Sequence, residues 1–247
     1  MHDGRAPGRG FLDFARNDTC VRSAPHFAIL SPEVPSPGFN RKHPSSAAAQ
    51  TNPRYPRCMA TVVVLNGTSS SGKTSVARAF QEAVGSLFLN FSIDSVLYAL
   101  PASALERIKR GEGDAGAVRY AELVQGFYAC VRELAALGLD LVIDHAVTTR
   151  GQAELLLAAV ASSHRTLLVG LECPIDVLNT RELERGDRRV GLAAGQCERI
   201  HRWLQYDLTI DTSRTAPEEA ARRIVTALAS SDGDAIRRTR AMLTEHP

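Results

Sequence analysis

The stretch from Thr61 to Val76 constrains the fold of this chain more than any other. It opens with the aliphatic run 62–65, which shows no alternation with polar residues and is typical of a strand buried on both faces of a parallel sheet. Residues 67–74 then fit the pattern G-x-x-x-x-G-K-[ST] at every fixed position. The following segment, 75–84, places apolar residues on one helical face, namely Val76, Ala79, Phe80 and Ala83. Strand, glycine loop and helix together predict a phosphate-binding loop, called the P-loop below (residues 67–74).

The residue types of the P-loop suit the binding of a nucleoside triphosphate. Gly67 and Gly72 allow backbone angles that a Cβ would forbid, so that successive N–H groups can turn towards a phosphate. The helix that begins near Lys73 adds its N-terminal partial charge. Lys73 can reach the β- and γ-phosphates, and the Thr74 hydroxyl can ligate Mg²⁺. The residues predicted to contact the nucleotide are Gly67, Thr68, Ser69, Ser70, Ser71, Gly72, Lys73, Thr74 and Ser75.

Residues 1–58 differ in composition from the rest of the chain. They hold eight of the twelve prolines and show no sustained hydrophobic periodicity, so they cannot bury enough apolar surface to offset the entropy of ordering. They carry eight Lys and Arg against four Asp and Glu, a net charge of +4; because the whole chain totals +2, residues 59–247 come to −2. The basic character therefore belongs to this segment, which argues against nucleic-acid binding by the folded part.

These observations predict three regions. We expect a disordered Pro/Arg-rich extension at 1–58, one α/β domain at 59–230, and a polar tail at 231–247 with a short helix at 236–243. An alternative for the first region is that the natural chain starts at Met59, directly before the first strand, so that the extension would not be translated.

Composition also excludes several classes of protein. The N-terminal segment lacks the apolar core of a secretory signal, and no run approaches the roughly 20 apolar residues of a membrane span. The five cysteines lie far apart and form no C-x-x-C pair, which favours a reduced cytoplasmic protein without a structural metal. We therefore expect a cytoplasmic protein that binds neither membrane nor nucleic acid.

A second apolar segment, Ser86 to Ile93, predicts a strand that ends in Asp94. Ligands of open α/β sheets bind outside the carboxyl ends of the strands, so we expect Asp94 to face the same crevice as Lys73. Position alone leaves two roles open. Asp94 is either a catalytic group or the N-cap of a helix predicted at 95–100.

The strand predicted at 139–143 ends in Asp144 and His145. Hydrophobic residues followed by Asp, downstream of a P-loop, match the Walker B arrangement, in which the carboxylate holds Mg²⁺ through water. For His145 a local hydrogen bond is favoured over a role as metal ligand, because no His or Cys stands at ligand spacing.

The remaining pattern alternates helices and strands. Residues 103–115 are charged and predict a mobile loop near the acceptor site. Further helices are predicted at 116–137, 152–162, 174–185, 193–205 and 217–229, and strands at 166–172 and 207–210, with Gly138 as a C-cap.

Arginines gather where the helix at 174–185 ends. Arg181 and Arg185 are spaced i,i+4, and Arg188 and Arg189 follow Gly186. Guanidinium groups bind phosphate bidentately, so these residues could clamp a triphosphate as a closing lid. The alternative is a solvated helix face on which Arg181, Arg185 and the neighbouring glutamates pair among themselves.

Six segments together resemble the chloramphenicol 3-O-phosphotransferase family. The resemblance extends from Thr61 to about Ala229. Its most specific segments are Arg181–Gln196 and His201–Ser213; the six are LNGTSSSGKTS, IDSVLYALP, LVIDH, VGLECP, RELERGDRRVGLAAGQ and HRWLQYDLTIDTS.

This resemblance implies a P-loop kinase fold, a three-layer α/β/α structure with a five-stranded parallel sheet in the order 2-3-1-4-5. It implies ATP as phosphate donor and a primary hydroxyl of a small molecule, chloramphenicol or similar, as acceptor. On the family's pattern Asp94 is the catalytic base, Lys73 and Thr74 serve the phosphates and Mg²⁺, and Arg185 and Arg188 are lid arginines.

The match departs from the family at two places. His145 stands where the family often has a second acid, and residues 100–116 differ where we expect the acceptor pocket. The donor chemistry therefore carries over better than the identity of the acceptor.

Three alternatives remain open. The nearest is a kinase of the same fold acting on another alcohol, a sugar or a nucleoside derivative. Another is a toxin-type P-loop kinase acting on a nucleotide sugar. From a different class, the chain could be a non-catalytic nucleotide-binding regulator, although such a protein needs no base at Asp94. Homo-oligomerisation and a contribution to antibiotic resistance also stay open at this stage.

Overall fold

A five-stranded parallel sheet forms the centre of the protein in a computed structural model, which describes residues 59–110, 114–115, 118–160, 165–185, 191–231 and 233–245. Its strands run in the order β2-β5-β1-β6-β7, and every neighbouring pair is parallel. Counted along the chain, this is the predicted order 2-3-1-4-5. The strands are β1 (Thr61–Asn66), β2 (Leu89–Ser92), β5 (Leu141–Asp144), β6 (Arg165–Glu172) and β7 (Leu208–Asp211), while the short pair β3 (Asp114–Ala115) and β4 (Val118–Arg119) is separate and antiparallel.

Helices connect the strands and cover both faces of the sheet. A capping box formed by Thr149 and Gln152 fixes the start of α5. The helices are α1 (Lys73–Ala83), α2 (Ile93–Leu97), α3 (Ala102–Lys109), α4 (Tyr120–Ala136), α5 (Arg150–Ala159), α6 (Ile175–Arg185), α7 (Leu192–Cys197), α8 (Pro217–Ser230) and α9 (Asp234–Glu245).

The two cores lie on opposite faces of the sheet, as alternate residues of the central strand show. Val62 and Val64 belong to the cluster formed with α4, α5 and α9, and Val63 and Leu65 belong to the cluster formed with α1 and α8. Burial on both faces explains why this strand is an unbroken aliphatic run in the sequence.

Four local predictions are wrong. The charged segment predicted as a mobile loop contains α3, α4 begins at Tyr120 rather than at 116, and α7 ends at Cys197 rather than at 205. Ala83, predicted on the buried face of α1, is exposed, and Ala77 is buried instead.

The segment predicted as a polar tail is also different. It contains the twelve-residue helix α9, which includes the short helix predicted at 236–243 and buries four residues, Ala235, Ile236, Thr239 and Leu243. The segment therefore packs as part of the domain.

The N-terminal extension 1–58 lies outside the described residues. Across the part of the chain that the structure describes, no helix is long and apolar enough to cross a membrane.

Candidate active site

The P-loop joins β1 to α1 at the carboxyl edge of the sheet. Gly72 adopts φ 87° and precedes the first residue of α1, and Ser70 adopts φ 60°. Gly67 is required for a different reason, because a Cβ there would lie 2.8 Å from the carbonyl oxygen of Leu171 in β6. The absence of a side chain lets the loop pass close to the neighbouring strand.

Three predicted residues, Lys73, Thr74 and Asp144, come together at this edge. The Thr74 hydroxyl donates to Oδ2 of Asp144 at 2.9 Å, and Lys73 Nζ lies 3.8 Å from Oδ1 of the same carboxylate. Lys73 also donates to the carbonyl oxygens of Gly67 and Thr68, at 2.9 and 2.7 Å. The ammonium group of Lys73 thus binds the first two residues of the P-loop and lies next to the buried carboxylate of Asp144.

The interior of the P-loop contains polar atoms that lack protein partners. Among the described residues, the hydroxyl oxygens of Ser69, Ser70 and Ser71 are buried and make no hydrogen bond. Unsatisfied buried polar groups are rare in native proteins, and where they cluster they point to a ligand or solvent partner. The loop therefore fits a polar ligand such as a chain of phosphates.

Asp94 lies at the same edge of the sheet, two residues after the end of β2. Ser92 ends β2 and is the register partner of Asp144 in β5, and Asp144 is also paired with Leu65 in β1. Asp94 follows as the second residue of α2 and is half-buried.

The N-cap role considered for Asp94 is wrong. Ser92 is the cap of α2, and its hydroxyl accepts the backbone N–H of Asp94 at 3.2 Å. Ser92, and not Asp94, therefore caps the start of α2.

His145 makes the local hydrogen bond that the sequence favoured. Its Nδ1 lies 2.6 Å from the hydroxyl of Tyr128 in α4, and its ring also contacts Phe127. Burial, together with a smaller effect of the nearby charge of Lys73, lowers the pKa of His145 to about 3. The imidazole is therefore neutral at physiological pH. Burial likewise raises the pKa of Tyr128 above its ordinary value, so that the phenol keeps its proton.

Arg181 lies beside the P-loop, but its guanidinium group bonds to protein atoms. It donates to the carbonyl oxygens of Ser70, at 3.4 Å, and of Thr212, at 2.8 Å. Arg181 thus links the P-loop to the residue after β7, and these contacts help to hold the loop in position. Of the two arginines predicted to form a lid, Arg185 ends α6 with its side chain outside the described residues, and Arg188 lies wholly outside them.

Three residues that shape the site were missed by sequence reasoning. Asn66 is fully buried; its side chain donates to the carbonyl of Ile200 and the hydroxyl of Tyr206 and accepts from the N–H of Val147. Glu182 and Gln196 connect α6, α7 and the P-loop through contacts given below. The available signal was weak: Asn66 directly precedes the P-loop, and the other two belong to the most specific resembling segment.

Comparisons with known proteins agree with this geometry. The family model described as "Chloramphenicol phosphotransferase-like protein" matches residues 60–229. Two curated proteins from the CDC 1551 and H37Rv strains of Mycobacterium tuberculosis, each named "Putative O-phosphotransferase", are 30% identical to the chain over 182 residues. The alignment covers 66% of this chain and 80% of each relative.

Solved structures show the same fold at low identity. The Mycobacterium tuberculosis APS kinase in complex with AMPPNP and APS matches with a TM-score of 0.53 at 18% identity, over 70% of this chain and 99% of that one. A gluconokinase from Sinorhizobium meliloti 1021 matches with a TM-score of 0.51 at 20% identity, over 78% of this chain and 100% of that one.

Proposed function

The chain belongs to the chloramphenicol phosphotransferase-like family and is a phosphotransferase that acts on hydroxyl acceptors, and we propose that it transfers the γ-phosphate of ATP to a hydroxyl of a small molecule. The acceptor we put first is chloramphenicol or a compound like it. A reaction that uses ATP in this way fits the cytoplasm.

The observation that carries this proposal is the convergence of Lys73, Thr74 and Asp144 at the P-loop. The Asp144 carboxylate lies 2.9 Å from the Thr74 hydroxyl and 3.8 Å from the Lys73 ammonium group. The adjacent loop holds three buried serine hydroxyls that have no hydrogen-bond partner among the described residues. P-loop enzymes use these residue types to bind and polarise a triphosphate.

On the donor side, the chain's own groups neutralise phosphate charge. The first amides of α1 have no intrahelical acceptor, and Gly72 supplies no side-chain cap, so these N–H groups are available to phosphate oxygens. Lys73 would exchange its contacts with Gly67 and Thr68 for the β- and γ-phosphates. Fixed donors of this kind stabilise charge that develops during transfer.

Mg²⁺ fits the residues present. The oxygen atoms of Thr74 and Asp144, already 2.9 Å apart, are hard ligands of the type that Mg²⁺ prefers. When bound there, Mg²⁺ would offset charge on the phosphates.

On the acceptor side, we propose Asp94 as the general base. Its carboxylate takes the proton of the acceptor hydroxyl while that oxygen forms a bond to the γ-phosphorus. The bond between that phosphorus and the bridging oxygen breaks, and ADP leaves with the electron pair. A base so placed also orients the acceptor oxygen.

The test is mass spectrometry of chloramphenicol incubated with MgATP and the full chain. The expected product is the drug with one phosphate added. Asp94→Asn should lower turnover by roughly 10²–10⁴, the range for a general base, while ATP binding persists. Asp234→Asn is the matched control, because Asp234 also lies in the first turn of a helix but is exposed and pairs with Arg237 on α9.

Each outcome bears on a different part of the proposal. Normal turnover by Asp94→Asn would remove Asp94 from the base role. ATP binding without a phosphorylated drug would reject chloramphenicol as acceptor and direct the same assay to sugar and nucleoside alcohols. Failure to bind ATP would contradict the kinase function as a whole.

A further inference from the structure

We propose that Gln196 is a positioning residue for the P-loop, held in place through α7 by the buried carboxylate of Glu182. This inference rests on the proposed function, because it assigns these two residues to the binding of the donor phosphates. Neither residue is expected to touch the reacting atoms.

The direct contact lies between Gln196 and the middle of the P-loop. The side-chain oxygen Oε1 of Gln196 accepts the backbone N–H of Ser69 at 2.7 Å, across 127 residues of chain. Ser71 N–H is also used, since it donates to the carbonyl of Thr68 at 3.3 Å. The amides in the middle of the loop thus hold its shape, while those at the start of α1 remain for phosphates.

Glu182 is what makes α7 a fixed support for Gln196. This residue of α6 is completely buried, and its two carboxylate oxygens accept the N–H groups of Gly191 and Ala193, both at 2.8 Å. Hydrogen bonds to a charged acceptor are among the stronger ones, and a buried carboxylate that lost them would be left uncompensated. The start of α7 is therefore fastened to α6.

Arg181, the neighbour of Glu182, holds the adjacent part of the loop. Its Nη1 donates to the carbonyl of Ser70 at 3.4 Å, and its Nη2 ties the same side chain to the carbonyl of Thr212 at 2.8 Å. Helix α6 therefore reaches the loop twice, directly at Ser70 and through α7 and Gln196 at Ser69.

A loop held at two consecutive residues is ordered before a ligand arrives. Without Gln196, the Ser69 amide loses its acceptor and the loop must be ordered during binding, which lowers affinity for ligands that fill it. The alternative is that Gln196 merely occupies a phosphate position and competes with the ligand. In that case, removing its side-chain acceptor would raise the affinity for such ligands.

The experiment compares Gln196→Met with the full wild-type chain. Methionine keeps the length of the side chain but removes the acceptor. The dissociation constants of AMPPNP with Mg²⁺ and of AMP are measured by titration calorimetry. We expect AMPPNP to bind about 3- to 10-fold more weakly, the effect of one neutral hydrogen bond, with AMP binding unchanged. Gln205→Met is the matched control, since Gln205 is exposed and its side chain contacts Met242.

Glu182→Gln supplies a second, independent test. It keeps the shape of the side chain but places an N–H donor against one of the two backbone amides, of Gly191 or Ala193, that Glu182 binds. If both residues act through α7, each single variant binds AMPPNP more weakly than the wild type. The double variant then binds AMPPNP no more weakly than the more affected of the two single variants. If Glu182→Gln does not fold, Gln196→Met still decides the matter.

The possible results distinguish a failure of this proposal from a failure of the proposed kinase function on which it rests. Unchanged or tighter AMPPNP binding by Gln196→Met would overturn the positioning role while leaving the kinase function intact. Equal weakening of AMP and AMPPNP would also overturn it, because the effect would not depend on the phosphates in the loop. A wild-type chain that binds no AMPPNP would reject the proposed function itself.

Discussion

The stability of this protein should fall in mild acid because of one buried histidine. His145 lies against Tyr128 and Phe127 with 2% of its surface exposed, and burial together with the charge of Lys73 lowers its pKa from 6.5 to about 3. In the unfolded chain the same imidazole takes up a proton near its ordinary pKa. Between these two values the unfolded state binds more protons than the folded state.

The size of the effect follows from proton linkage. The free energy of unfolding falls as pH drops below 6.5, by at most about 1.4 kcal/mol for each pH unit, until the folded imidazole is protonated near pH 3. Between pH 7.5 and pH 5 this one residue should cost about 2 kcal/mol of stability. That is a considerable part of the roughly 5–15 kcal/mol that stabilises a typical domain.

Urea denaturation of the wild type and His145→Asn at pH 7.5 and 5 measures this term. Asparagine does not titrate and retains an oxygen that can accept the Tyr128 hydroxyl, and all other titrating groups contribute equally to both proteins. We expect the wild type to lose about 2 kcal/mol more than the variant on acidification. Equal losses in the two proteins would refute the reasoning and show that water or protein compensates the charged imidazole.

Two further predictions concern the donor site and the packing of the sheet. Lys73→Ala should lower both nucleotide affinity and turnover, with turnover reduced by about 10²–10³, because the loop loses its fixed cation; steady-state kinetics with varied ATP and calorimetric titration measure the two effects. Gly170→Ala should destabilise the protein by about 1–3 kcal/mol, since its Cβ would lie 2.9 Å from the Tyr206 ring. The matched change is Gly126→Ala, on the exposed face of α4, where a Cβ would meet nothing within 4 Å; it should instead stabilise the protein by about 1 kcal/mol. Thermal melts in which Gly126→Ala melted at a lower temperature than Gly170→Ala would contradict this argument.

The frame of the site was predictable because it depends on short-range patterns. An unbroken aliphatic run, a glycine loop and an amphipathic helix follow one another within residues 61–84, and each has its own sequence signature. The parallel order of the strands came from the family resemblance, and the order in the structure confirms it. Asp144 lies beside Thr74 because Asp144 ends β5, which is paired with β1, and Thr74 lies in the first turn of α1, which follows β1 through the P-loop.

The parts that were missed depend on side chains that meet across long stretches of chain. Glu182 lies close in the sequence to Arg181, Glu184 and Arg185, which favours a solvated face, yet it is buried because the backbone amides of Gly191 and Ala193 satisfy its carboxylate. The N-cap role that was left open for Asp94 belongs to Ser92; both residue types are good caps, and local sequence does not decide between them. Helix α3 was missed because its charges and the glycines after it resemble a loop.

Helix α9 sets a practical limit on how the chain can be shortened or fused. Its residues Ile236 and Leu243 lie in the same apolar cluster as Leu156 of α5, and the guanidinium group of Arg150 donates to the carbonyl of Leu243. A fragment that stopped after α8 would expose this apolar surface to water, and contiguous patches of that kind promote aggregation. Shortened or fused forms should therefore retain the chain through Glu245.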